Sequence, residues 1–253
     1  VGNNDGEYMN GVTLGEPGAL AGDDNPAAGF IQAESSRIEV PWSAELNTPE
    51  FTFECWAKVT GGTSYRSPMT SRGDGPQEGY IFYATPGNTW EFWTGPGWNA
   101  LGGANVTNDE WVYLAGTFDG TVKRFFVNGQ QVSSNQPTVV PNDADMLRIG
   151  GGATESATGN YFFEGLIDEP AVYDQALSPA RILTHYLAGR PPVDLPMLTI
   201  SQDGAEVVLT WSGDSLLEET DSLPGGWTEV PNAASPYRVA PAGTAKFWRL
   251  RNP

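Results

Sequence analysis

The chain has 253 residues, and 13 lysines and arginines against 31 aspartates and glutamates give it a formal net charge of −18. A field of that sign repels phosphate backbones and anionic lipid head groups, so neither nucleic acid nor a membrane surface is expected as a partner. The length suits either one large β-sandwich or a sandwich with a small additional module, and no apolar run is long enough to predict a transmembrane helix.

The chain begins at Val1 without an initiator methionine, and no basic segment followed by an apolar stretch opens it. We therefore expect a processed product or a segment of a longer secreted or surface protein. Residues 1–29 are rich in Gly, Asn, Asp and Pro, which predicts loop structure with one short strand near residues 11–14.

Strand patterns then recur at regular spacing, each bounded by turn residues. They cover residues 37–41, 51–59, 80–84, 89–94, 110–119, 123–127, 130–133, 146–150 and 162–173. The runs 51–59 and 110–119 are predicted to be central and buried. The single cysteine, Cys55, shares a face with Phe53 and Ala57 in the first of these runs, so we interpret it as an inert core thiol.

Local signals predict a hairpin, a helix and a domain boundary. Asn128-Gly129 between two β-prone stretches predicts a type I′ turn, because both central positions of that turn need positive φ. Ser178 as N-cap, Pro179 at the first helical position and Gly189 as a stop predict a helix over 178–188. The prolines that follow predict a stiff linker over 191–196.

This boundary divides the chain into a domain over 1–190 and a module over 197–253, where strand patterns restart. They lie at 198–200, 205–211, 216–217, 227–230, 237–239 and 245–250. The predicted fold class is all-β, with a large sandwich followed by a small β-sandwich-like module.

Six segments of the first domain, in order and at consistent separations, resemble the bacterial concanavalin-A-like and laminin-G-like family, which is related to the pentraxins. They are Ser36-Arg-Ile-Glu-Val-Pro41, Phe51-Thr-Phe-Glu-Cys-Trp-Ala-Lys-Val59, Trp111-Val-Tyr-Leu-Ala-Gly-Thr-Phe-Asp-Gly120, Phe125-Phe-Val-Asn-Gly-Gln130, Leu147-Arg-Ile-Gly150 and Gly165-Leu-Ile-Asp-Glu-Pro-Ala-Val-Tyr-Asp-Gln-Ala-Leu-Ser178. The terminal Phe-Trp-Arg-Leu strand at 247–250 resembles small C-terminal β-modules of large secreted bacterial proteins.

The resemblance implies a two-sheet antiparallel jelly roll whose relatives mostly bind glycans, mediate adhesion or accompany catalytic domains. Where the family reads Asp-Glu-Val, this chain has Asp-Glu-Pro ending at Pro170, which predicts an edge-strand position. Some relatives are glycoside hydrolases or lyases, so the fold alone leaves catalysis open.

Aromatic residues point to a stacking surface for sugar rings. Trp98 lies between Gly and Pro turn residues, and Trp93 alternates with core-facing positions, so both are candidate ligand contacts, with Asn99 beside them to bond hydroxyl groups. The alternative is that both tryptophans fill the sandwich core. The segments 64–77 and 94–103 are predicted to be loops that flank this surface on the outer part of one sheet.

The charge predicts a neutral or cationic partner, with one local exception. Arg66 and Arg72 lie in one predicted loop and would form a basic spot able to contact an anionic ligand. Both arginines are therefore candidate ligand-binding residues.

Calcium is a candidate cofactor, because the resemblance implies sites built from carboxylates and carbonyls. Asp5 in the opening Asn/Asp loop and Asp168 near the last strand are the candidate ligands, since first and last segments are commonly neighbours in such sandwiches. The alternative is a solvated acidic loop and a carboxylate that bonds backbone amides.

Catalysis is not expected. His185 is the single histidine and lies on the predicted terminal helix, where a surface or packing role is expected. Glu164, Asp168 and Glu169 depart in spacing and order from the Glu-x-Asp-x-x-Glu run of related hydrolases. The favoured hypothesis is a non-catalytic extracellular glycan-binding or adhesion module. The expected partner is a glycan or a surface protein. The alternative is a structural domain of a surface protein or fibre that contacts neighbouring copies by self-association, and a glycoside-active enzyme is the third hypothesis.

Overall fold

The computed structural model of the chain describes residues 4–152, 161–190, 197–240 and 245–251. The chain forms two compact units, residues 1–191 and 192–253. Their boundary falls within the predicted linker over 191–196, which itself lies outside the described residues.

The first unit is built from strands and one α-helix near its end. In chain order these are β1 (Glu7–Met9), β2 (Thr13–Glu16), β3 (Ala27–Phe30), β4 (Arg37–Val40), β5 (Phe51–Val59), β6 (Met69–Asp74), β7 (Gln77–Ala84), β8 (Thr89–Thr94), β9 (Asn99–Asn105), β10 (Val112–Phe118), β11 (Lys123–Val127), β12 (Gln130–Asn135), β13 (Leu147–Ile149), β14 (Gly165–Tyr173) and α1 (Pro179–Ala188). Short 3-10 turns span Gln32–Glu34 and Ala44–Leu46.

The strands form two seven-stranded antiparallel sheets. The first sheet has the order β1-β4-β13-β6-β7-β8-β9, and the second has the order β12-β11-β10-β5-β14-β3-β2. The predicted all-β, two-sheet antiparallel jelly roll is confirmed. The runs predicted to be central correspond to β5 and β10, which pair with each other in the middle of the second sheet.

The main core lies between the two sheets and follows strand alternation. In β5, Phe53 and Cys55 point inward and have no solvent exposure. The Phe53 ring stacks on Phe82 of the opposite sheet at 3.9 Å between centroids. Burial raises the pKa of the Cys55 thiol, which keeps it protonated and unreactive, as its core position predicts.

The local turn and cap signals act as expected. Asn128 and Gly129 join β11 to β12 with φ angles of 50° and 75°. The Ser178 side chain accepts a hydrogen bond from the Arg181 backbone amide at the start of α1. Helix α1 packs its buried Ile182 on the outer face of the second sheet, in a cluster that includes Trp56.

Several segments predicted to be loops are strands. The opening region contains β1 and most of β3 besides β2, which corresponds to the short strand predicted near 11–14, and the flanking segments 64–77 and 94–103 contain β6 and most of β9. The sequences of β6 and β9 are rich in polar residues and glycine, so they carry little strand propensity of their own. Pairing of β6 with two neighbours supplies the ordering that its residues do not predict.

Pro170 corrects another prediction. Its strand, β14, lies between β5 and β3 rather than at an edge of the sheet. The register with β5 shifts between Asp168 and Ala171, and pairing with β3 ends at Ile167. The proline therefore occupies a bulge, where its missing N–H costs no ladder hydrogen bond.

The second unit has two three-stranded sheets, which agrees with the predicted small C-terminal β-domain. Its strands are β15 (Thr199–Asp203), β16 (Glu206–Thr210), β17 (Leu216–Thr220), β18 (Thr228–Glu229), β19 (Tyr237–Val239) and β20 (Phe247–Arg251). The sheet orders are β15-β16-β19 and β18-β17-β20. Among the described part of the chain, no helix is long and apolar enough to cross a membrane.

Candidate functional site

A cluster of aromatic side chains lies on the outer face of the first sheet, away from the main core. In β7 and β8, Phe82 and Phe92 point into the core, so Tyr83 and Trp93 point outward by alternation. Loop and turn residues add further rings on the same face. We call the resulting set the aromatic platform, and it comprises Tyr65, Tyr83, Trp93, Trp98 and Tyr161.

The rings of the platform contact one another in favourable geometries. Trp93 meets Tyr83 edge to face at 5.5 Å and Tyr65 at 5.9 Å, and Tyr65 stacks on Tyr161 at 5.7 Å with an interplanar angle of 12°. Tyr83 is buried, whereas the other four residues are half-buried. The platform therefore combines an ordered base with aromatic surface that reaches solvent.

Arg72 of β6 lies in the middle of the platform. Its guanidinium is 5.1 Å from the Trp98 ring centroid and 5.8 Å from the Tyr161 centroid, which places both rings in cation–π range. It also donates hydrogen bonds to the Tyr83 hydroxyl and, at 3.0 Å, to the Asp74 carboxylate. One buried side chain thus connects residues from four segments.

Two platform residues adopt a backbone conformation that bulky side chains rarely use. Trp98 has φ of 46° and Tyr161 has φ of 62°. A left-handed conformation costs a bulky residue on the order of 1–3 kcal/mol and tends to occur at functional sites. Both rings lie within cation–π range of Arg72, so two bulky residues with positive φ meet on the platform.

Trp93 is fixed by a neighbour on its own strand. Its indole N–H donates to the Glu91 carboxylate at 2.7 Å, and both side chains are half-buried. The polar atom of the indole is satisfied within the protein, which leaves its apolar surface for packing against the tyrosines and against a ligand.

Asn99 forms hydrogen bonds in the interior of the sandwich. Its side-chain oxygen accepts from the buried Lys123 ammonium at 2.8 Å and from Asn135 at 2.8 Å, and its backbone carbonyl accepts from Lys123 at 2.7 Å. It therefore holds the turn after Trp98 against the opposite sheet. Whether it also contacts a ligand stays a prediction.

Arg66 is buried, with 1% exposure. Its guanidinium donates to the carbonyls of Gly61, Gly62 and Thr85 and to the Asn88 side chain, all at 2.9–3.0 Å. Burial lowers its pKa. Its charge is enclosed by loop carbonyls, so Arg66 and Arg72 do not form the exposed basic spot that their spacing suggested.

The two candidate calcium ligands belong to different parts of the sandwich, one just before a strand of the first sheet and the other within the second sheet. Asp5 is exposed just before β1, while Asp168 in β14 is buried and accepts hydrogen bonds from the backbone amides of Ala19, at 2.7 Å, and Glu169, at 3.0 Å. Within the described ranges there is no group of three acidic, histidine or cysteine side chains arranged to hold a metal ion. This arrangement matches the alternative of a carboxylate that bonds backbone amides.

A second polar cluster lies beneath α1, on the outer face of the second sheet. The buried Glu54 carboxylate accepts from Tyr113 at 2.6 Å and Tyr173 at 3.0 Å, and lies 2.9 Å from His185 Nδ1. Burial and the Glu54 charge raise the pKa of Tyr173 to about 12. His185 thus anchors the helix to the sheet, in line with the packing role expected for it.

Sequence reasoning missed several residues of the platform and the two carboxylates bonded to it. Tyr83 and Glu91 could have been found from strand alternation, because each shares its face with Trp93 across β7 and β8. Tyr65, Asp74 and Tyr161 carry no local signal, since the first and last lie in loops separated by about a hundred residues of chain. Trp93 and Trp98, which the sequence did select, both lie on the platform.

A family comparison identifies the first unit. The family model described as the concanavalin A-like lectin/glucanases superfamily matches residues 32–183, more than half of the chain. The chain belongs to this superfamily. The resemblance inferred from the six sequence segments is confirmed. Among curated proteins, human Pappalysin-1 is 28% identical to this chain over 109 residues. The matched segment covers 41% of this chain and 6% of Pappalysin-1.

Solved structures of similar fold include sugar-binding domains and enzymes. Domain 4 of AbnA, a GH43 extracellular arabinanase from Geobacillus stearothermophilus, was solved with arabinotriose and matches with a TM-score of 0.54 at 21% identity, covering 75% of this chain and 90% of that one. A structure of botulinum neurotoxin type C, a toxin whose cell entry depends on interaction with two ganglioside molecules, matches with a TM-score of 0.56 at 8% identity. The match covers 87% of this chain and 61% of that one. Trypanosoma rangeli sialidase matches with a TM-score of 0.52 at 15% identity, covering 64% of this chain and 27% of the sialidase chain. At these identities the likeness is one of fold.

Proposed function

We propose that this protein binds glycans without cleaving them, and that the aromatic platform is the binding surface. The observation that carries the proposal is the group of half-buried rings on the outer face of the first sheet, organised around Arg72 and including two residues with strained backbone. Sugar rings stack on such faces, while neighbouring polar groups bond their hydroxyls.

Proteins of similar fold that bind sugars also support the proposal. AbnA domain 4 was solved with arabinotriose, and the type C neurotoxin interacts with gangliosides, so the same fold presents sugar sites in other proteins. We extend the proposal to an extracellular binding or adhesion role within a larger secreted or surface protein. The acidic charge and the family membership favour this setting.

The non-catalytic part of the proposal rests on how the carboxylates near the platform are used. Glycoside hydrolysis needs two carboxylates facing each other across the scissile bond. Asp74 is bonded to Arg72, and Glu91 is bonded to the Trp93 indole. Each carboxylate therefore already serves the protein's own side chains.

Replacement of the platform rings tests the proposal. A glycan array on the whole chain would select a sugar, and calorimetry would then compare wild type with Trp98→Ala and Tyr65→Ala. Loss of one anchoring ring is expected to weaken binding by roughly 1–3 kcal/mol, or about fivefold to 150-fold. The matched control is Trp42→Ala, which removes a 41% exposed tryptophan elsewhere on the domain.

Unchanged affinity in both platform variants, with the control also unchanged, would refute the assignment. The same conclusion would follow if Trp98→Ala lowered the melting temperature and left every measured interaction intact, because Trp98 would then be structural. A chain that binds nothing on the array but self-associates would favour the structural-domain alternative.

A further inference from the structure

A cleft lies on the outer face of the second sheet, beside the C-terminal end of helix α1. It consists of two neighbouring cavities of about 330 Å³ and 230 Å³, and both are bordered by Trp56 and Gly189. The larger cavity is also lined by Trp111 and Tyr186, and we call the combined space the helix cleft. Binding sites for small molecules usually have volumes of about 300–1,000 Å³ and aromatic linings, so the helix cleft has the size and the lining of such a site.

Trp56 forms the wall that the two cavities share. It is only 6% exposed, and its ring is fixed by stacking on Tyr186 at 5.7 Å between centroids and by contact with Tyr113 at 5.4 Å. Its indole N–H has no hydrogen-bond partner among the residues that the structure describes, although the nitrogen is not sealed off from open space. A largely buried donor is destabilising unless something accepts from it, and the cleft is the space from which an acceptor can reach this one.

The cleft also offers polar groups of both kinds. In the smaller cavity His185 Nδ1 lies 2.9 Å from the Glu54 carboxylate, so Nδ1 carries the proton, and Nε2 remains as an acceptor with no partner in the described part of the chain. In the larger cavity the Asn128 side-chain oxygen accepts from the Tyr113 amide at 3.0 Å, which leaves its NH2 group as a donor. The exposed Glu110 adds a carboxylate acceptor. A hydroxyl group can both donate and accept, so this mixed set suits a ligand rich in hydroxyl groups.

The charges at the larger cavity do not favour an ionic ligand. Lys58 lies 5.1 Å from the Trp111 ring centroid and Arg190 lies 5.4 Å from that of Tyr186, so the protein's own cations already use both rings. A cationic ligand would meet these like charges, and an anionic ligand would meet Glu110. An uncharged ligand with an apolar ring face and several hydroxyl groups fits best, and that is the chemistry of a neutral sugar.

We propose that the helix cleft is a second saccharide site, which takes the end of a neutral glycan chain, and that the first unit therefore binds glycans on two opposite faces. The platform lies on the outer face of the first sheet and the cleft on the outer face of the second, with the main core between them. A single molecule can then bridge two glycan chains. The cleft is a site independently of the platform, whereas the bridging rests on the proposed function of the platform.

Calorimetry on the whole chain with neutral trisaccharides tests the cleft, using arabinotriose, maltotriose, cellotriose and mannotriose as probes. Trp56→Phe keeps a ring in the wall but removes the N–H donor, so it should weaken binding at this site about twofold to tenfold. Trp111→Ala removes a half-buried ring and should weaken binding about tenfold or more. Glu110→Gln removes an exposed acceptor charge without altering the packing, and it serves if Trp111→Ala is unstable. Trp42→Ala is the control.

The pattern across variants separates this inference from the proposed function. Binding that falls in the cleft variants but persists in Trp98→Ala supports the cleft and counts against the platform. Binding that falls in Trp98→Ala and is unchanged in Trp56→Phe and Trp111→Ala overturns the cleft and leaves the platform standing. The inference is also overturned if no trisaccharide binds, or if the cleft variants lower the melting temperature and bind as wild type does, because the cleft would then be packing alone.

Agglutination tests the bridging. Beads coated with the trisaccharides that bind should be agglutinated by wild type and by Trp42→Ala. Trp98→Ala and Trp111→Ala should still bind the beads but should not agglutinate them, because each variant retains one site. Agglutination that persists in either of these variants would mean that copies of the chain associate, and bridging by a single molecule would be overturned.

Discussion

Lys123 is a buried lysine that should make the stability of the protein depend on pH. It has no solvent exposure and lies between the sheets, where its ammonium donates to the Asn99 backbone and side-chain oxygens at 2.7 and 2.8 Å and to the Thr94 hydroxyl at 3.3 Å. These acceptors are uncharged. Desolvation therefore lowers the pKa of Lys123 from 10.5 to about 7.

The direction of the effect follows from proton binding. Between pH 7 and 10.5 the unfolded chain holds the Lys123 proton and the folded chain has released it, so the free energy of unfolding rises with pH in this window. Each pH unit contributes up to about 1.4 kcal/mol, which gives a gain of about 3 kcal/mol between pH 6 and pH 9.

Urea unfolding at pH 6, 7, 8 and 9 measures this gain. Lys123→Met removes the titrating group, so the stability of wild type relative to this variant should rise by about 3 kcal/mol across the range. Lys58→Met is the control, because it removes one positive charge from a half-buried lysine of the same domain. If the free energy of unfolding changed with pH in the same way for wild type and Lys123→Met, the reasoning would be refuted. The three acceptors would then stabilise the ammonium as well as water does.

Two further predictions concern the core and the calcium question. Phe53→Ala should destabilise the first unit by about 3–5 kcal/mol, because it leaves a cavity against the stacked Phe82 ring, and equal urea midpoints for variant and wild type would contradict the assigned core. Asp168→Ala should cost about 1–3 kcal/mol by leaving the Ala19 and Glu169 amides without their acceptor. Chelator and excess calcium should leave the wild-type melting temperature unchanged, whereas a calcium-dependent rise would establish a site that these hydrogen bonds do not predict.

The parts of the fold that could be predicted depend on signals a few residues long. Asn128-Gly129 predicts its hairpin because few other pairs tolerate positive φ at both positions. Ser178 predicts a helix start because its side chain reaches an amide three residues on. Alternation in 51–59 predicts that Cys55 is in the core, because a strand sends every second side chain to the same face.

The platform depends on which segments become neighbours, and that is decided by tertiary structure. Arg72 lies in a segment rich in polar residues and glycine that becomes a strand only between two partners, where its side chain meets rings from a turn and from a loop almost ninety positions further along the chain. The sequence alone predicted Trp93 and Trp98 as surface aromatics. It could not predict that Arg72 would meet the Tyr161 ring, or that Asn99 would bond a lysine from the opposite sheet, because those contacts depend on which segments pack together and their partners have no fixed spacing in the chain.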